Sequence, residues 1–276
     1  MRFSEDEERF LRPGCDRLVA LAGLLAARGV PYSVARMGGD RHIIVRLGRG
    51  RPELVLAAHY DRVEDSPGVL DNSCACLQLV ALAASLSSAA APLGAAREAR
   101  PRERKSLIIA FTDAEEAPAA GDALSQGSFG LAQALRAALA PLGTPPTVVL
   151  DVTGRGDRLV YSTSAEGLLA RTGLAGSPAA TGRRGLVDAA LAAASRAGLE
   201  PPLPVALPWS DDLGLTLGGL PALAVSLLPE DEAALCARGG RPPTWDLLHG
   251  PSDGPDLAEE GAFRIMAAFL AELALR

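Results

Sequence analysis

The chain has 276 residues, of which 48% are hydrophobic and 4% are aromatic, and it carries a net charge of −6 at pH 7. A chain of this length and apolar content can bury a full α/β core, and we expect one domain that spans residues 1–276. The acidic balance and the absence of a basic block argue against nucleic acid as a partner.

The N-terminal segment and the cysteines bear on where the protein works. Residues 1–10 are charged rather than apolar, and no apolar stretch of the length that a membrane span needs is evident, so we expect a cytoplasmic protein without a membrane partner. Cys15 and Cys236 are isolated, and Cys74 and Cys76 lie too close together for an ordinary disulfide. We interpret the close pair as small buried helix residues; the alternative is a thiol that senses redox state or captures a metal.

Hydrophobic periodicity predicts an α/β chain. A capping box at residues 4–7 starts a helical region, and the pattern from Leu18 to Leu25 predicts an amphipathic helix that ends near Gly29 and covers a sheet. The alanine- and arginine-rich segment 89–104 is predicted to be a mobile surface loop. Apolar runs predict strands, with helices between them, near residues 32–37, 42–47, 53–58, 107–111, 148–152, 159–162, 205–207 and 222–227.

The strand predicted at residues 53–58 leads into a histidine. Ligands bind at strand ends in open α/β sheets, so His59 is a candidate metal ligand. Asp61 can supply the carboxylate that a metal-bound imidazole needs at its other ring nitrogen. The alternative is a surface histidine beside a solvated acid. His42 lies at an ordinary strand position without an acidic partner, and we exclude it as a ligand.

Further acids and a histidine lie where other apolar runs meet turns. Glu115 and Glu116 follow the strand predicted at residues 107–111, and one of them can bind a metal while the other moves protons. The alternative for this pair is a solvated acidic face. In all, five side chains that can bind a metal lie where apolar runs meet turns: His59, Asp71, Glu116, Asp151 and His249. A metal site explains all five positions.

The order of these motifs points to a known family. From about Glu53 to the C-terminus, the segments AHYD, PGVLDNS, DAEE, VLDVTG and LLHGPSD resemble the M28 family of zinc-dependent aminopeptidases and their glutaminyl cyclase relatives. The resemblance implies a zinc-exopeptidase-like α/β fold: a three-layer sandwich in which helices flank a central, mixed and mainly parallel sheet. Its ligands would come from loops at one edge of that sheet.

The resemblance also implies roles for individual residues. Asp71 would bridge two zinc ions, although the number bound, one or two, is left open. Glu115 would act as general base, and a cis peptide would join Asp71 to Asn72. The terminal zinc ligands would be His59, Glu116 or Asp151, and His249.

Four features depart from the family pattern. Leu70 stands where a further acid is common, and Ala75 stands where a glycine is common. Asp212 stands where a histidine often follows Ser-Asp, and we expect it to change the charge and hydrogen bonding of the pocket. Residues 117–126 look like an insertion, which we expect to rim the pocket.

The resemblance leaves three functions open. The first is an aminopeptidase that acts on a peptide or small aminoacyl substrate. The second is a glutaminyl cyclase; such relatives carry a tryptophan directly before the last histidine, where this chain has Leu248, although Trp209 and Trp245 could approach the pocket from their loops. The third is a descendant that binds zinc or peptide without catalysis, which should have lost ligands or base, and none is missing here.

Overall fold

The computed structural model describes residues 1–88, 104–116 and 122–275. Within these ranges lie eight strands: β1 (Ser33–Met37), β2 (Asp40–Leu47), β3 (Leu54–His59), β4 (Leu107–Thr112), β5 (Thr147–Leu150), β6 (Arg158–Ser162), β7 (Leu203–Val205) and β8 (Ala222–Leu228). The helices are α1 (Glu5–Leu11), α2 (Arg17–Ala27), α3 (Cys74–Ser88), α4 (Gly127–Leu139), α5 (Ser164–Arg171), α6 (Pro178–Arg196), α7 (Asp211–Leu217), α8 (Glu230–Ala237) and α9 (Glu260–Leu273).

One sheet contains all eight strands in the order β1-β2-β4-β3-β5-β8-β6-β7. The neighbours β4, β3, β5 and β8 run parallel, β7 runs parallel to β6, and the other adjacent pairs are antiparallel. The register places His59 beside Thr112, so the carboxyl ends of β3 and β4 reach the same edge. The sheet is therefore mixed and mainly parallel, as the resemblance implied.

Alternate residues of the central strands enter two separate cores. Leu56 and Ile109 pack into the core that α2, α3, α6 and α9 cover, whereas Val55 and Ile108 pack against α4, α7 and α8. Both faces are apolar because strands buried on both sides need hydrophobic residues at every position. The three-layer α/β sandwich is confirmed.

The predicted helical region near the N-terminus is two helices rather than one continuous element. The capping box forms at the start of α1, where Ser4 and Glu7 exchange hydrogen bonds. The chain then leaves the helix at Pro13 and Gly14, and Gly14 adopts a left-handed φ of 74°. Asp16 caps α2 by accepting a hydrogen bond from the backbone N–H of Val19.

Strand positions agree with the apolar runs to within two residues at each end; β2, for example, begins at Asp40 rather than at residue 42. β7 begins two residues before the predicted run, and β5 ends at Leu150, so Asp151 follows the strand. The predicted loop at residues 89–104 lies outside the described residues except for Arg104, which pairs with Leu275 as an isolated bridge. Among the described residues, one helical run, Val69–Ser88, is long and apolar enough to cross a bilayer, contrary to the sequence expectation; 72% of its most apolar window is buried inside the protein.

We expect truncation of Leu56, which is fully buried in β3, to destabilise the fold. Leu56→Ala should lower the free energy of unfolding in urea by about 2–5 kcal/mol, because the lost contacts leave a cavity between sheet and helices. The matched control is Leu174→Ala, since Leu174 is 40% exposed. That variant should stay within about 0.5 kcal/mol of the parent; equal losses in both variants would contradict this assignment of the core.

Candidate active site and metal centre

Asp71 lies at the centre of the candidate site. It occupies the tight turn Val69–Ser73 that leads into α3. Its carboxylate faces two histidines: Oδ1 lies 3.1 Å from Nε2 of His59, and Oδ2 lies 2.9 Å from Nε2 of His249. The two oxygens of one carboxylate therefore face two different imidazoles, which is the arrangement that a bridging ligand requires.

Two more acids complete two sets of candidate ligands around Asp71. Oδ1 of Asp151 lies 3.7 Å from Nε2 of His59, and Oε2 of Glu116 lies 3.5 Å from Nε2 of His249. Ligand atoms of His59, Asp71 and Glu116 also lie within 4.8 Å of one another, so the two sets are contiguous. The fold thus brings together all five predicted ligands, and it places Asp151 with His59 and Glu116 with His249.

The polar atoms of the set formed by His59, Asp71 and Asp151, which we call the inner set, fit a bound cation. Nε2 of His59 and Oδ1 of Asp151 are both buried, and neither has a hydrogen-bond partner within the described part of the chain. Buried polar atoms are normally satisfied, so two orphan atoms that face each other suggest a missing partner. Nitrogen and oxygen donors of this mixture suit zinc.

The charges of the site show the same need for a cation. Burial and the neighbouring Asp71 raise the pKa of Glu116 to about 8. The hydrogen bond to Asp71 raises the pKa of His249 to about 9. Although burial lowers the pKa of His59, Glu115 and the carboxylates around it raise that pKa well above its ordinary value. Crowded carboxylates in a poorly hydrated space are unfavourable, and a divalent cation would compensate them.

Glu115, the predicted general base, is buried beside the inner set. Its Oε2 lies 3.9 Å from Nε2 of His59, and its Oε1 accepts a hydrogen bond of 3.4 Å from the side chain of Gln126. Burial raises the pKa of Glu115 well above its ordinary value, and nearby Asp151, Asp211 and Asp71 raise it further against the opposing effect of His59. A carboxyl group with a raised pKa can both accept and return a proton near neutral pH.

Asp61 contacts both His59 and the acid pair. Its carboxylate accepts hydrogen bonds from the backbone N–H groups of Glu115, at 3.2 Å, and Glu116, at 2.9 Å. Nδ1 of His59 lies 3.3 Å from the backbone carbonyl of Asp61 and 3.6 Å from its carboxylate. The carbonyl, rather than the predicted carboxylate, is therefore the nearer partner of the imidazole, and the carboxylate mainly holds the turn that carries the acid pair.

The turns around the site have unusual backbone geometry. Ala114, Val152 and His249 have left-handed φ angles of 61°, 50° and 61°. Such angles are uncommon outside glycine and concentrate at functional sites. The peptide between Asp71 and Asn72 is cis, as the resemblance implied. Gly68 opens this turn with a φ of 57°, and a Cβ at this position would lie 2.8 Å from the carbonyl oxygen of Asp71.

The sequence analysis did not identify two residues that hold the ligands. Asp253 is fully buried, and its carboxylate accepts hydrogen bonds from the backbone N–H groups of Leu70, at 2.7 Å, and Asp71, at 3.1 Å. The side-chain amide of Asn72 donates to the carbonyl of Leu150 and accepts from the N–H of Val152, so it bonds to the backbone on both sides of Asp151. Both lie inside the PGVLDNS and LLHGPSD motifs, which is the only sequence signal that marks them.

Arg17 connects two turns of the site from behind. It is 7% exposed, stacks on Phe10, and donates hydrogen bonds to the carbonyl of Tyr60 and, at 3.0 Å, to the hydroxyl of Ser73. Tyr60 lies between His59 and Asp61, and Ser73 follows Asn72. Nothing in the sequence marks this residue, because its partners are 43 and 56 positions away.

Asp212 does not act as the sequence analysis expected. It is 1% exposed, and its carboxylate lies 3.2 Å from the guanidinium of Arg183, which itself is 2% exposed. Arg183 also lies 3.0 Å from Glu166. The charge of Asp212 is therefore compensated in the protein interior, and Asp212 is not among the residues that line the pocket.

The two neighbouring cysteines are structural. Cys74 and Cys76 are both fully buried, and the thiol of Cys76 donates to the carbonyl of His59 at 3.1 Å. Burial raises the pKa of Cys76 to about 12, which disfavours the reactive thiolate. His42 lies in β2, as predicted, and its Nδ1 accepts a hydrogen bond of 3.2 Å from the backbone N–H of Asp113.

Three of the candidate ligands, Asp71, Asp151 and His249, line a cavity of about 260 Å³. In the predicted insertion, residues 117–121 lie outside the described residues, and Gln126 reaches Glu115 beside the cavity. Trp209 donates its indole N–H to the carbonyl of Glu115 at 3.4 Å. The cavity is lined by Asp71, Glu115, Asp151, Val152, Leu207, Pro208, Trp209, Ser226, Arg241, Trp245, Leu248 and His249.

Residues 42–274 match the model of peptidase family M28. The chain belongs to peptidase family M28. Membership supports hydrolase chemistry, zinc as the metal and peptides as substrates. The match covers every candidate ligand, the proposed base and Asp253.

Solved structures of two activities share the fold of this M28 protein. A glutaminyl cyclase from Porphyromonas gingivalis is 16% identical with a TM-score of 0.67, over 97% of this chain and 93% of that one. A Zn-dependent exopeptidase from Parabacteroides distasonis is 15% identical with a TM-score of 0.65, over 98% and 94%. A zinc aminopeptidase from Bacillus subtilis is 19% identical with a TM-score of 0.58, over 85% and 49%. A search of curated proteins found no match.

We expect the folded protein to be stabilised by zinc. A metal that binds only the folded state adds about 2.7 kcal/mol at a concentration 100 times its dissociation constant, so the melting temperature should fall after chelation and recover on addition of zinc. The measurement is thermal unfolding by circular dichroism. Asp71→Asn should abolish most of the response, because Asp71 faces both histidines; an unchanged response in that variant would place the metal elsewhere.

Loss of Asp253 should weaken zinc binding without removing a ligand. Asp253→Ala leaves the N–H groups of Leu70 and Asp71 without their acceptor, and we expect zinc affinity to fall about 10–100-fold in competition with a chromogenic chelator. Asp256→Ala, an exposed acid three residues away, is the control and should bind zinc like the parent. Parent-like affinity in Asp253→Ala would show that the turn holds Asp71 unaided.

Proposed function

We propose that this M28 protein is a zinc-dependent aminopeptidase that removes N-terminal residues from peptides. The observation that carries the proposal is the position of Glu115: a buried carboxyl with a raised pKa that lies 3.9 Å from His59 and lines the same cavity as Asp71, Asp151 and His249. The candidate ligands are His59, Asp71, Glu116, Asp151 and His249.

Different residues of the site serve different steps of peptide hydrolysis. Zinc bound by these ligands would supply a Lewis acid that activates water and polarises the peptide carbonyl. Glu115 takes the proton that water loses as it adds to the carbonyl, and then donates it to the amine of the departing peptide. Asp61 keeps Glu115 in place through their hydrogen bond. The products are a free amino acid and a peptide shortened by one residue.

The acidic surroundings favour a substrate with a free N-terminus. Asp71, Glu115 and Asp151 line the cavity, and carboxylates of this density attract the α-ammonium group of a peptide. An internal peptide bond brings no such charge into the site. This difference supports an exopeptidase over an endopeptidase.

The second candidate is a glutaminyl cyclase, and the two tryptophans favour it. Trp209 and Trp245 both line the cavity, although neither directly precedes the last histidine. In this reaction the α-amine of an N-terminal glutamine attacks its own side-chain amide, ammonia leaves, and pyroglutamate forms. Glu115 would carry the proton from the attacking amine to the leaving ammonia.

Replacement of the base tests both reactions together. In a zinc-loaded preparation, we expect release of free amino acids from aminoacyl arylamides, and Glu115→Gln should lower kcat about 10²–10⁴-fold because the proton acceptor is lost. Zinc affinity should stay close to that of the parent. Glu230→Gln, an exposed acid at the start of α8, is the control and should keep full activity.

The products separate the candidates. Free amino acids that depend on Glu115 support the aminopeptidase. Pyroglutamyl product from an N-terminal glutamine substrate, without free amino acid, would overturn it in favour of the cyclase. If the zinc-loaded protein converts neither substrate, the result would favour a binding protein without catalysis.

A further inference from the structure

Arg241 brings a guanidinium to a cavity that is otherwise lined by acids, apolar residues, Ser226 and His249. Among the described residues that line the cavity, it is the only lysine or arginine, and three of the others are acids of the candidate site. The mechanism above does not use it. A guanidinium near a metal site that is rich in carboxylates has an evident chemical complement, which is a carboxylate carried by the ligand.

Arg241, whose side chain is 63% exposed, forms an ion pair with Asp246 of the adjacent turn, Pro243–Asp246. Its Nε donates to Oδ1 of Asp246 at 3.0 Å, and its Nη2 donates to the carbonyl of Trp245 at 3.3 Å. Within residues 1–88, 104–116 and 122–275, its Nη1 has no hydrogen-bond partner. The side chain is therefore oriented by two bonds and retains donors for a ligand.

The turn itself has a buried anchor. Thr244 is fully buried, and its backbone N–H donates to the carboxylate of Glu232 at 2.8 Å. Arg155 donates to the hydroxyl of Thr244 at 3.1 Å and lies 3.7 Å from Glu232. These contacts tie the turn to α8 and to the segment that follows Asp151. The turn that carries Trp245 and pairs with Arg241 is thus anchored to the protein interior, as a selective binding site requires.

The cavity suits a ligand that carries both charges. Arg241 lines the same cavity as Asp71, Glu115 and Asp151, so a short ligand could place its α-amine among the carboxylates and a carboxylate near Arg241. Opposite charges at the two ends of the ligand would then meet opposite charges of the protein.

We propose that Arg241 is a specificity-determining residue that binds a carboxylate of the substrate. The inference rests on the proposed function. The carboxylate has two possible sources: the C-terminus of a dipeptide, or the side chain of an acidic N-terminal residue. Both would present the same chemistry to the guanidinium, and the substrates below distinguish them.

The first experiment compares matched substrates with and without the carboxylate. For the C-terminal source, the pair is Leu-Gly and its amide; for the side-chain source, the pair is the arylamides of glutamate and glutamine. Arg241→Gln should lower the ratio of kcat/KM for the charged over the neutral member about 10–100-fold in one pair, as expected for a charged hydrogen bond. The ratio for Arg241→Lys should lie between those of the parent and of Arg241→Gln, because lysine keeps the charge but lacks the planar guanidinium that binds a carboxylate through two hydrogen bonds.

Arg238→Gln is the matched control. Arg238 is an exposed arginine at the end of α8 and is not among the cavity residues. The kcat/KM ratios of charged over neutral substrate should be the same in Arg238→Gln as in the parent. If Arg241→Gln leaves both ratios unchanged, or if Arg238→Gln lowers them equally, the assignment of Arg241 is overturned.

A binding measurement separates this inference from the proposed reaction. The chain has two tryptophans, Trp209 and Trp245, and both line the cavity, so intrinsic fluorescence reports on its occupancy. Leu-Gly and its amide, and free glutamate and glutamine, are titrated into the zinc-loaded Glu115→Gln protein. Adding Arg241→Gln should raise the dissociation constant of Leu-Gly or glutamate about 10–100-fold relative to its neutral partner.

The combined outcomes are distinguishable. If the parent hydrolyses no peptide but binding of the charged ligand still depends on Arg241, the proposed function fails and the inference stands. If the parent hydrolyses peptides but neither ratio nor binding depends on Arg241, the inference fails and the proposed function stands.

Discussion

The crowding of carboxylates around Asp71 is the constraint on which the rest of the site depends. Asp71, Glu115, Glu116 and Asp151 lie close together in a space from which much of the water is excluded, and each ionised group disfavours the others. The two histidines relieve this only in part, and both have raised pKa values as a result. The pKa of Asp71 is lowered despite burial, because His249 and His59 lie beside its two carboxylate oxygens. A bound cation is the natural completion of such an arrangement.

Groups that repel one another must be held by the surrounding structure. The hydrogen bonds of Asp61 to the acid pair, of Asn72 around Asp151, and of Asp253 to the turn of Asp71 perform this task. Arg17 joins two of the turns from the buried side. These residues are not ligands, yet they hold the ligands on turns whose backbone angles are uncommon. The parallel strands β3, β4 and β5 then bring the turns to one edge of the sheet.

Proteins of two activities share this fold, so the fold by itself does not decide the reaction. Structures of glutaminyl cyclases and of zinc exopeptidases both superimpose on this chain. In this protein the cavity walls include Trp209, which donates to the carbonyl of Glu115, and Trp245, which lies on a turn anchored by the buried Thr244 and accepts a hydrogen bond from Arg241. Asp212 illustrates the opposite case. A charge that looked in sequence like a pocket residue is sequestered by Arg183, so it shapes the interior instead.

The sequence by itself determined the strands and the types of the candidate ligands, because apolar runs need burial and polar side chains at their ends mark one edge of a sheet. Tertiary structure decided the rest. Only the fold showed that His59 pairs with Asp151 and His249 with Glu116 around Asp71. Only the fold revealed Asp253, whose partners are 182 and 183 positions away, and the burial of Asp212. Contacts across such separations depend on how layers pack, and no local pattern in the chain encodes them.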